Sequence, residues 1–93
     1  MNNTLNAEER KHVGFVKQLP CSVCEAPAPS EAHHIKQHRQ WICVALCTSC
    51  HTGSLMGWHG QKRAWALAKM DELDALNQTL KNLNLLRDKF FYY

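Results

Sequence analysis

The pattern of apolar and polar positions begins with a short helix and an irregular loop. Residues 7–17 are compatible with a helix, and Asn6 followed by Glu9 has the offset of a capping box. Pro20 ends this segment, because proline disfavours helical backbone in the residue before it. Residues 25–30 contain two prolines and a serine, so we expect a rigid loop there without regular structure.

Two short extended runs follow the loop and predict a hairpin. They span residues 32–38 and 41–46, and the second is rich in aromatic and β-branched residues. Only Arg39 and Gln40 separate them. A second CxxC then begins, and we expect it to open a helix that Gly53 interrupts.

The pattern is helical again from Gln61. Leucines repeat with 3-4-3 spacing after a plausible cap at Asp71, at positions Leu73, Leu76, Leu80 and Leu83. Such a stripe is more often core, but it is long for a 93-residue chain, so a homodimer contact through the C-terminal helix is the alternative. We expect one domain over residues 1–93, with a core at about 19–60, an N-terminal helix at about 7–17 and C-terminal helices at about 61–89.

A chain of this length buries only roughly 60–65% of its unfolded surface, so a small domain of this kind needs an additional stabilising link, or staple, such as a metal ion or a disulfide. Five cysteines without a signal peptide argue against a secreted disulfide scaffold and indicate a reducing compartment, the cytoplasm. No apolar run approaches the roughly 20 residues of a membrane span. We therefore expect a metal staple, a soluble protein and no membrane partner.

Two CxxC turns supply the four soft ligands that tetrahedral zinc prefers in a structural site. They are separated by 22 residues and consist of Cys21, Cys24, Cys47 and Cys50. A redox CxxC is the competing interpretation, but the βαβ pattern that accompanies one is missing. Cys43 lies in the second extended run and is predicted to be a buried free thiol, with replacement of Cys47 as a ligand left open.

Positive charge is concentrated in the middle of the chain. No Asp or Glu occurs between Ala32 and Met70, although five Lys and Arg residues do. A basic field attracts polyanions, of which nucleic acid is the commonest inside cells. We expect contacts with the phosphate backbone of DNA through Lys36, Arg39, Lys62 and Arg63, and the alternative is a solvated basic face.

The same acid-free stretch holds a group of histidines, His33, His34, His51 and His59. Hydrolysis of a phosphodiester requires a base that activates water and a cation that stabilises charge on the phosphate. Imidazole can act as the base or ligate the cation. One histidine alone is more often a structural side chain, but this grouping favours a catalytic role.

Taken in order, these residues resemble the HNH, or ββα-metal, endonucleases. The motifs that carry the resemblance are the first CxxC, the histidine pair in residues 32–35 (AHHI), and residues 46–51 (LCTSCH) at the start of a helix. More narrowly, the chain is similar to phage and prophage Ref-like recombination-enhancement nucleases in residues 7–12 (AEERKH), 19–21 (LPC), 50–53 (CHTG) and 57–60 (GWHG).

The resemblance implies an α+β fold, with a small zinc-bound treble-clef or ββα-metal core and flanking N- and C-terminal helices. It implies a metal-dependent endonuclease of low sequence specificity that acts on DNA in phage recombination or DNA processing within the bacterial host. His34 would be the general base, and His33 and His51 would ligate a catalytic Mg²⁺, Mn²⁺ or Ni²⁺. His59 would be a further ligand or a phosphate contact. A host recombinase filament is a further partner, with the leucine stripe as its dock.

Two departures from the family pattern affect these expectations. Relatives usually carry an Asn between the strands, where this chain has residues 38–40 (HRQ), and many have Asp in place of His33. We therefore expect a catalytic metal ligated by imidazoles and water without a carboxylate, which favours Mn²⁺, Ni²⁺ or Zn²⁺. Consecutive strand residues point to opposite faces, so His33 and His34 share a site only if the strand twists or ends there.

The alternative function is a zinc module that binds nucleic acid or a protein and catalyses nothing. In that case His33 and His51 would be structural or exposed side chains, and replacement of His34 would change little.

Overall fold

The computed structural model describes the backbone of residues 5–91 and the side chains of residues 5–88. This part of the chain forms an α+β fold, as predicted. Its elements are α1 (Ala7–Lys17), β1 (Glu31–His34), β2 (Cys43–Leu46), α2 (Thr48–Thr52), α3 (Arg63–Ala68) and α4 (Glu72–Phe91). Within the same part of the chain, no helix is both long enough and apolar enough to cross a membrane.

Helix α1 has the predicted boundaries and the predicted cap. The Asn6 side chain accepts a hydrogen bond from the Glu9 backbone N–H at 2.8 Å, and the Glu9 carboxylate accepts one from the Asn6 N–H at 3.0 Å. This capping box satisfies two donors that the first turn would otherwise leave unpaired. Val13 and Val16 are the buried residues of the helix.

The predicted hairpin is confirmed, but its strands are shorter than the extended runs. Strand β1 pairs antiparallel with β2, with Glu31 opposite Leu46 and His34 opposite Cys43. Beyond His34 the pairing continues only through the Ile35 N–H, which donates to the Ile42 carbonyl at 3.1 Å. His38 then adopts a left-handed backbone with φ of 68°, so residues 36–41 form the turn that joins the strands.

Strand β2 is buried along its whole length and separates two apolar clusters. Its alternate side chains point to opposite faces. One cluster joins β2 to α1 and the end of α4 through Cys43, Ala45, Val13, Val16, Leu19 and Leu83. The other joins β2 to the cysteine turns and to α3 and α4 through Val44, Leu46, Cys21, Cys50, Trp65 and Ala75. Cys43 is 1% exposed, which confirms the predicted buried thiol.

The prediction that the leucine stripe packs as core is wrong for half of its members. Leu83 is buried, whereas Leu73 and Leu80 are 68% and 48% exposed. Among the described side chains of α4, those with no exposed surface are Ala75 and Thr79. Their small side chains let the helix lie close against β2, which turns the larger leucines outward. The cap at Asp71 is confirmed, because its carboxylate accepts from the Asp74 N–H at 2.9 Å.

Thr79 ties α4 to the strand and to the first cysteine turn. Its hydroxyl donates to the Ala75 carbonyl at 2.9 Å and accepts from the Ala45 N–H at 3.2 Å. The Ser22 hydroxyl lies 2.6 Å away and donates to the remaining lone pair. All of these groups are buried, and the Ser22 hydroxyl and the Ala45 N–H depend on this one oxygen atom as their acceptor.

We expect Thr79→Val to lower the free energy of unfolding by about 1–3 kcal/mol, because the shape is kept while buried donors on Ser22 and Ala45 lose their acceptor. Denaturant unfolding with zinc in excess measures the difference. Thr52→Val is the matched control, since the Thr52 hydroxyl is exposed and donates only within its own helix. Equal stabilities of the two variants would contradict this role for Thr79.

Candidate metal centres

The four cysteines of the CxxC turns form one cluster. The sulfur atoms of Cys21, Cys24, Cys47 and Cys50 all lie within 4.8 Å of one another. The Cys24 and Cys47 sulfurs are 3.6 Å apart. Tetrahedral zinc with Zn–S bonds of about 2.3 Å requires sulfurs about 3.8 Å apart, so the cluster could hold a structural zinc ion. Cys43 is not part of this cluster, and Cys47 belongs to it as predicted.

Local backbone geometry places the two turns. In the first, the Cys21 N–H donates to the Ala26 carbonyl at 2.9 Å, and Glu25 closes the turn with a left-handed φ of 66°. In the second, Cys47 is the N-cap of α2, and its sulfur accepts from the Cys50 N–H at 3.4 Å. The prediction that the second CxxC opens a helix is therefore confirmed.

The thiols of this cluster cannot all ionise without a cation. Burial, followed by the neighbouring Cys47 thiol, raises the pKa of Cys50 far above its ordinary value. Burial also raises the pKa of Cys24. Burial acts the same way on Cys21, but backbone N–H groups of the turns outweigh it and lower the pKa of that thiol. A divalent cation supplies the positive charge that four adjacent thiolates need.

A second group of possible ligands consists of three histidines. Ring nitrogens of His33, His51 and His59 lie within 4.8 Å of one another. The distances between ring centroids are 5.1 Å for His33 and His51, and 5.2 Å from His59 to each of the others. They come from β1, α2 and the loop after α2. We call this group the three-histidine cluster.

The loop after α2 brings His59 back to His51. The His59 N–H donates to the His51 carbonyl at 3.1 Å, and the Trp58 N–H donates to the Cys50 carbonyl at 2.9 Å. This tight return needs glycine, because a Cβ atom at Gly57 would lie 2.7 Å from the Gly53 carbonyl oxygen. The glycines that mark a break in the helical pattern thus determine where His59 lies.

Two carboxylates accept hydrogen bonds from histidines of this cluster. His33 Nε2–H donates to Glu72 Oε2 at 2.6 Å, and His51 Nδ1–H donates to Glu31 Oε1 at 2.9 Å. These bonds leave Nδ1 of His33 and Nε2 of His51 for a cation. Carboxylate partners of this kind fix the tautomer and increase the basicity of a metal-binding imidazole.

The environment sets the charge of these groups. Burial lowers the pKa of His33, and it outweighs the opposing effect of Glu72. The hydrogen bond from His51, followed by that from the Thr48 hydroxyl, lowers the pKa of Glu31. At neutral pH the cluster therefore combines a neutral His33 with an ionised Glu31, which is the state that binds a cation.

Sequence reasoning missed Glu31 and Glu72. A signal was present, because Glu31 immediately precedes the acid-free stretch and Glu72 follows it after Asp71. Their distance from the histidines in sequence, up to 39 residues for Glu72 and His33, hid the contact. The site was expected to contain no carboxylate. Two carboxylates are instead present, and each accepts a hydrogen bond from a histidine that could bind the cation.

His34 lies apart from the three-histidine cluster. It lines a shallow cleft of about 220 Å³ together with Gln37, His38 and Gln40. Its Nε2 is buried and has no hydrogen-bond partner among the described residues, although the ring as a whole is partly exposed. Strand alternation therefore separates the two neighbouring histidines where β1 ends.

The predicted DNA-contact residues are all exposed. Lys36 and Arg39 lie in the turn that follows β1. Lys62 is nearer the cluster, since its ammonium group lies 4.1 Å from the centre of the Trp58 ring, and that ring is 6.5 Å from His33. Arg63 begins α3.

Comparison with known proteins adds no identification. No protein-family model, no curated protein and no solved structure matches this chain. Statements about its function therefore rest on its own residues and their geometry.

We expect Cys24→Ser to abolish tight zinc binding and stable folding, because structural zinc binding in such small domains supplies folding free energy. Cys24 is the exposed member of the cluster, so its replacement removes a ligand with little loss of packing. The control is Cys43→Ala, which should keep the metal. Cobalt substitution followed by the sulfur-to-cobalt absorption band measures both. A full band in Cys24→Ser would contradict the four-cysteine site.

Proposed function

We propose that this chain is a metal-dependent endonuclease of the HNH type, which hydrolyses DNA phosphodiester bonds with low sequence specificity. The observation that carries the proposal is the three-histidine cluster with Glu31 and Glu72 behind it. A structural zinc site alone needs only the cysteines. A separate group of imidazoles, oriented by two carboxylates and with the Lys62 ammonium group nearby over Trp58, fits a phosphate-cleaving site.

The order of elements agrees with this proposal. A hairpin is followed directly by a short helix, with His33 on the first strand and His51 on the helix. One cysteine turn precedes the hairpin, and the other lies at the start of the helix. This arrangement supports the treble-clef or ββα-metal form of the core.

In the proposed mechanism, His33 and His51 would hold one divalent cation, and His59 would complete the set of imidazoles. Such a cation, when bound, stabilises negative charge on the scissile phosphate and on the departing oxygen. Glu72 and Glu31 keep the two ligands in fixed tautomers and orientations. The exposed position of His59, unlike the buried His33, lets the substrate approach from its side.

His34 is the proposed general base. Its Nε2 is buried, so Nδ1 is the nitrogen that faces solvent and can accept a proton from the attacking water. The Cα atoms of His33 and His34 are about 3.8 Å apart, as in any trans peptide unit. Because the two side chains leave opposite faces of β1, a phosphate that contacts both the cation that His33 would hold and a water molecule on His34 would have to pass round the end of the strand.

The ligand atoms favour softer cations. A metal held by these residues contacts imidazole nitrogens, while the carboxylates remain one hydrogen bond away. Imidazole suits Mn²⁺, Ni²⁺ and Zn²⁺ better than Mg²⁺, which prefers oxygen ligands. The preference expected from the sequence is thus retained in spite of the two carboxylates.

The exposed Lys and Arg side chains are proposed to bind the DNA backbone. Lys36 and Arg39 follow the base His34 in sequence, and Lys62 lies beside the three-histidine cluster over Trp58. Contacts with phosphate carry no base information, so the proposed specificity is low and the affinity falls steeply with salt.

We expect Glu72→Gln to weaken binding of Mn²⁺ or Ni²⁺ by roughly 10- to 100-fold, because His33 loses a charged partner. Calorimetric titration of the zinc-loaded protein measures the affinity. Glu8→Gln, an exposed change on α1, should leave it unaltered. Equal affinities in the wild type and Glu72→Gln would show that Glu72 does not support a metal ligand.

We expect His34→Ala to slow nicking of supercoiled plasmid by about 10²- to 10⁴-fold, the usual contribution of a general base. His38→Asn is the matched control, because it removes an imidazole from the same cleft while asparagine tolerates the left-handed backbone there. Nicking is measured with Mg²⁺, Mn²⁺ or Ni²⁺ in proteins that retain zinc.

Three results distinguish the possibilities. Loss of nicking in His34→Ala alone supports the proposal. Equal nicking by both variants means that His34 is not the base. A wild-type protein that binds DNA but never cuts it is a non-catalytic zinc module.

A further inference from the structure

An exposed tryptophan lies at the tip of the hairpin, outside both apolar clusters. Trp41 is 52% exposed, although Trp65 is almost fully buried. Burial of a large apolar side chain stabilises a fold by roughly 1.5–3 kcal/mol, and Trp41 leaves much of that gain unused. A ring of this size in water is suited to a ligand with a flat apolar face.

Contacts with His12 fix the position of Trp41. His12 Nε2–H donates to the Trp41 carbonyl at 3.1 Å, and the two rings lie with centroids 4.7 Å apart at an angle of 38°. The residue is therefore anchored to α1 through both its backbone and its ring. Such a side chain loses little conformational freedom when a ligand stacks on it.

A cleft of about 370 Å³ opens beside the ring, within the size range of small-molecule sites. Its apolar lining includes Phe15 and Leu83, and its polar lining comprises the cations Lys11 and Arg87 together with Glu8 and His12. The permanent charges thus comprise two cations and one carboxylate. A flat apolar floor with a cationic rim matches a nucleobase with its attached phosphate.

The position of Trp41 links it to the proposed active site. Cys43 pairs with His34, and Trp41 lies in the turn, two residues before Cys43. Two residues of chain span at most about 7 Å, so this distance does not exceed about two base rises of about 3.4 Å each. Lys36 and Arg39, in the same turn, supply further cations along this path.

We infer that Trp41, with Lys11 and Arg87, binds an unpaired nucleobase of single-stranded DNA next to the cleavage site. The inference rests on the proposed function, and it specifies the substrate as DNA with a single-stranded segment. A base inside a duplex presents only its edges, so its face cannot stack on an indole. Stacking is tolerant of base identity, which agrees with low sequence specificity.

The test measures binding of labelled single-stranded and duplex DNA of equal length to the full chain by fluorescence anisotropy. The protein carries one equivalent of zinc for the cysteine site and no further divalent cation is added, so that cutting does not interfere. We expect Trp41→Ala to weaken single-strand binding by about tenfold and duplex binding hardly at all. Trp41→Phe should retain most of the affinity, because it keeps an aromatic face. Leu67→Ala, at another exposed apolar position, should change neither.

Intrinsic fluorescence provides a second readout. Single-stranded DNA should quench the wild-type emission, and the quenching should be largely lost in Trp41→Phe, in which Trp58 and Trp65 remain. Equal single-strand affinities of wild type and Trp41→Ala would overturn the inference. So would an equal loss for duplex, or a wild-type protein that binds no single strand, in which case Trp41 serves a protein partner.

These outcomes separate this inference from the proposed catalysis. If the wild type nicks plasmid and Trp41→Ala binds single strands normally, the inference fails and the nuclease stands. If single-strand binding depends on Trp41 in a protein that never cuts, the base-binding site at Trp41 stands and the nuclease fails.

Discussion

The convergence of four cysteine sulfurs is the constraint on which the rest of this structure depends. The two turns that carry them precede and follow the hairpin, so their approach closes the loop of chain that contains it. The first turn is also bound to β2, because the Ser22 N–H donates to the Ala45 carbonyl at 2.9 Å. A cation shared by the turns would fix the hairpin against the start of α2. That juxtaposition places Glu31 beside His51, and His33 beside both His51 and His59.

The charge pattern explains how one small domain could both hold metal and approach DNA. Acids are missing from the stretch that carries the histidines, which leaves the surface there basic. Two of the acids that flank this stretch, Glu31 and Glu72, accept hydrogen bonds from His51 and His33. Negative charge is therefore present where it supports a ligand and scarce where a phosphate would approach. Support of the metal ligands needs negative charge, and approach of a phosphate needs a basic surface. These two requirements are met on different sides of the same histidines.

Local signals in the sequence predicted much of the fold. The Asn6–Glu9 capping box, the hairpin, the helix at the second CxxC, the four-cysteine cluster and the buried Cys43 are all present. These features depend on neighbouring residues or on a ligand set with characteristic spacing. The outward orientation of Leu73 and Leu80 was not predictable, because leucine spacing defines a stripe but not how closely α4 lies against β2. The small side chains of Ala75 and Thr79 determine how closely α4 lies against β2.

The site was predictable only in part for a similar reason. Residue types and spacing indicated the histidines, but not which of them converge. Strand alternation separates His34 from His33, and the glycine-rich return after α2 brings His59 to His51. The supporting carboxylates required knowledge of the tertiary fold, since Glu72 reaches His33 from another element. Trp41 gave no signal in the sequence, because an aromatic residue at the start of a strand usually belongs to the core.

The most direct test of the central claim is anomalous diffraction from crystals of the zinc-loaded protein grown with manganese. The account predicts two separate peaks, zinc among Cys21, Cys24, Cys47 and Cys50, and manganese among His33, His51 and His59. A zinc peak at the cysteines with no manganese at the histidines, under conditions in which the protein is saturated with the metal, would contradict the proposed catalytic centre.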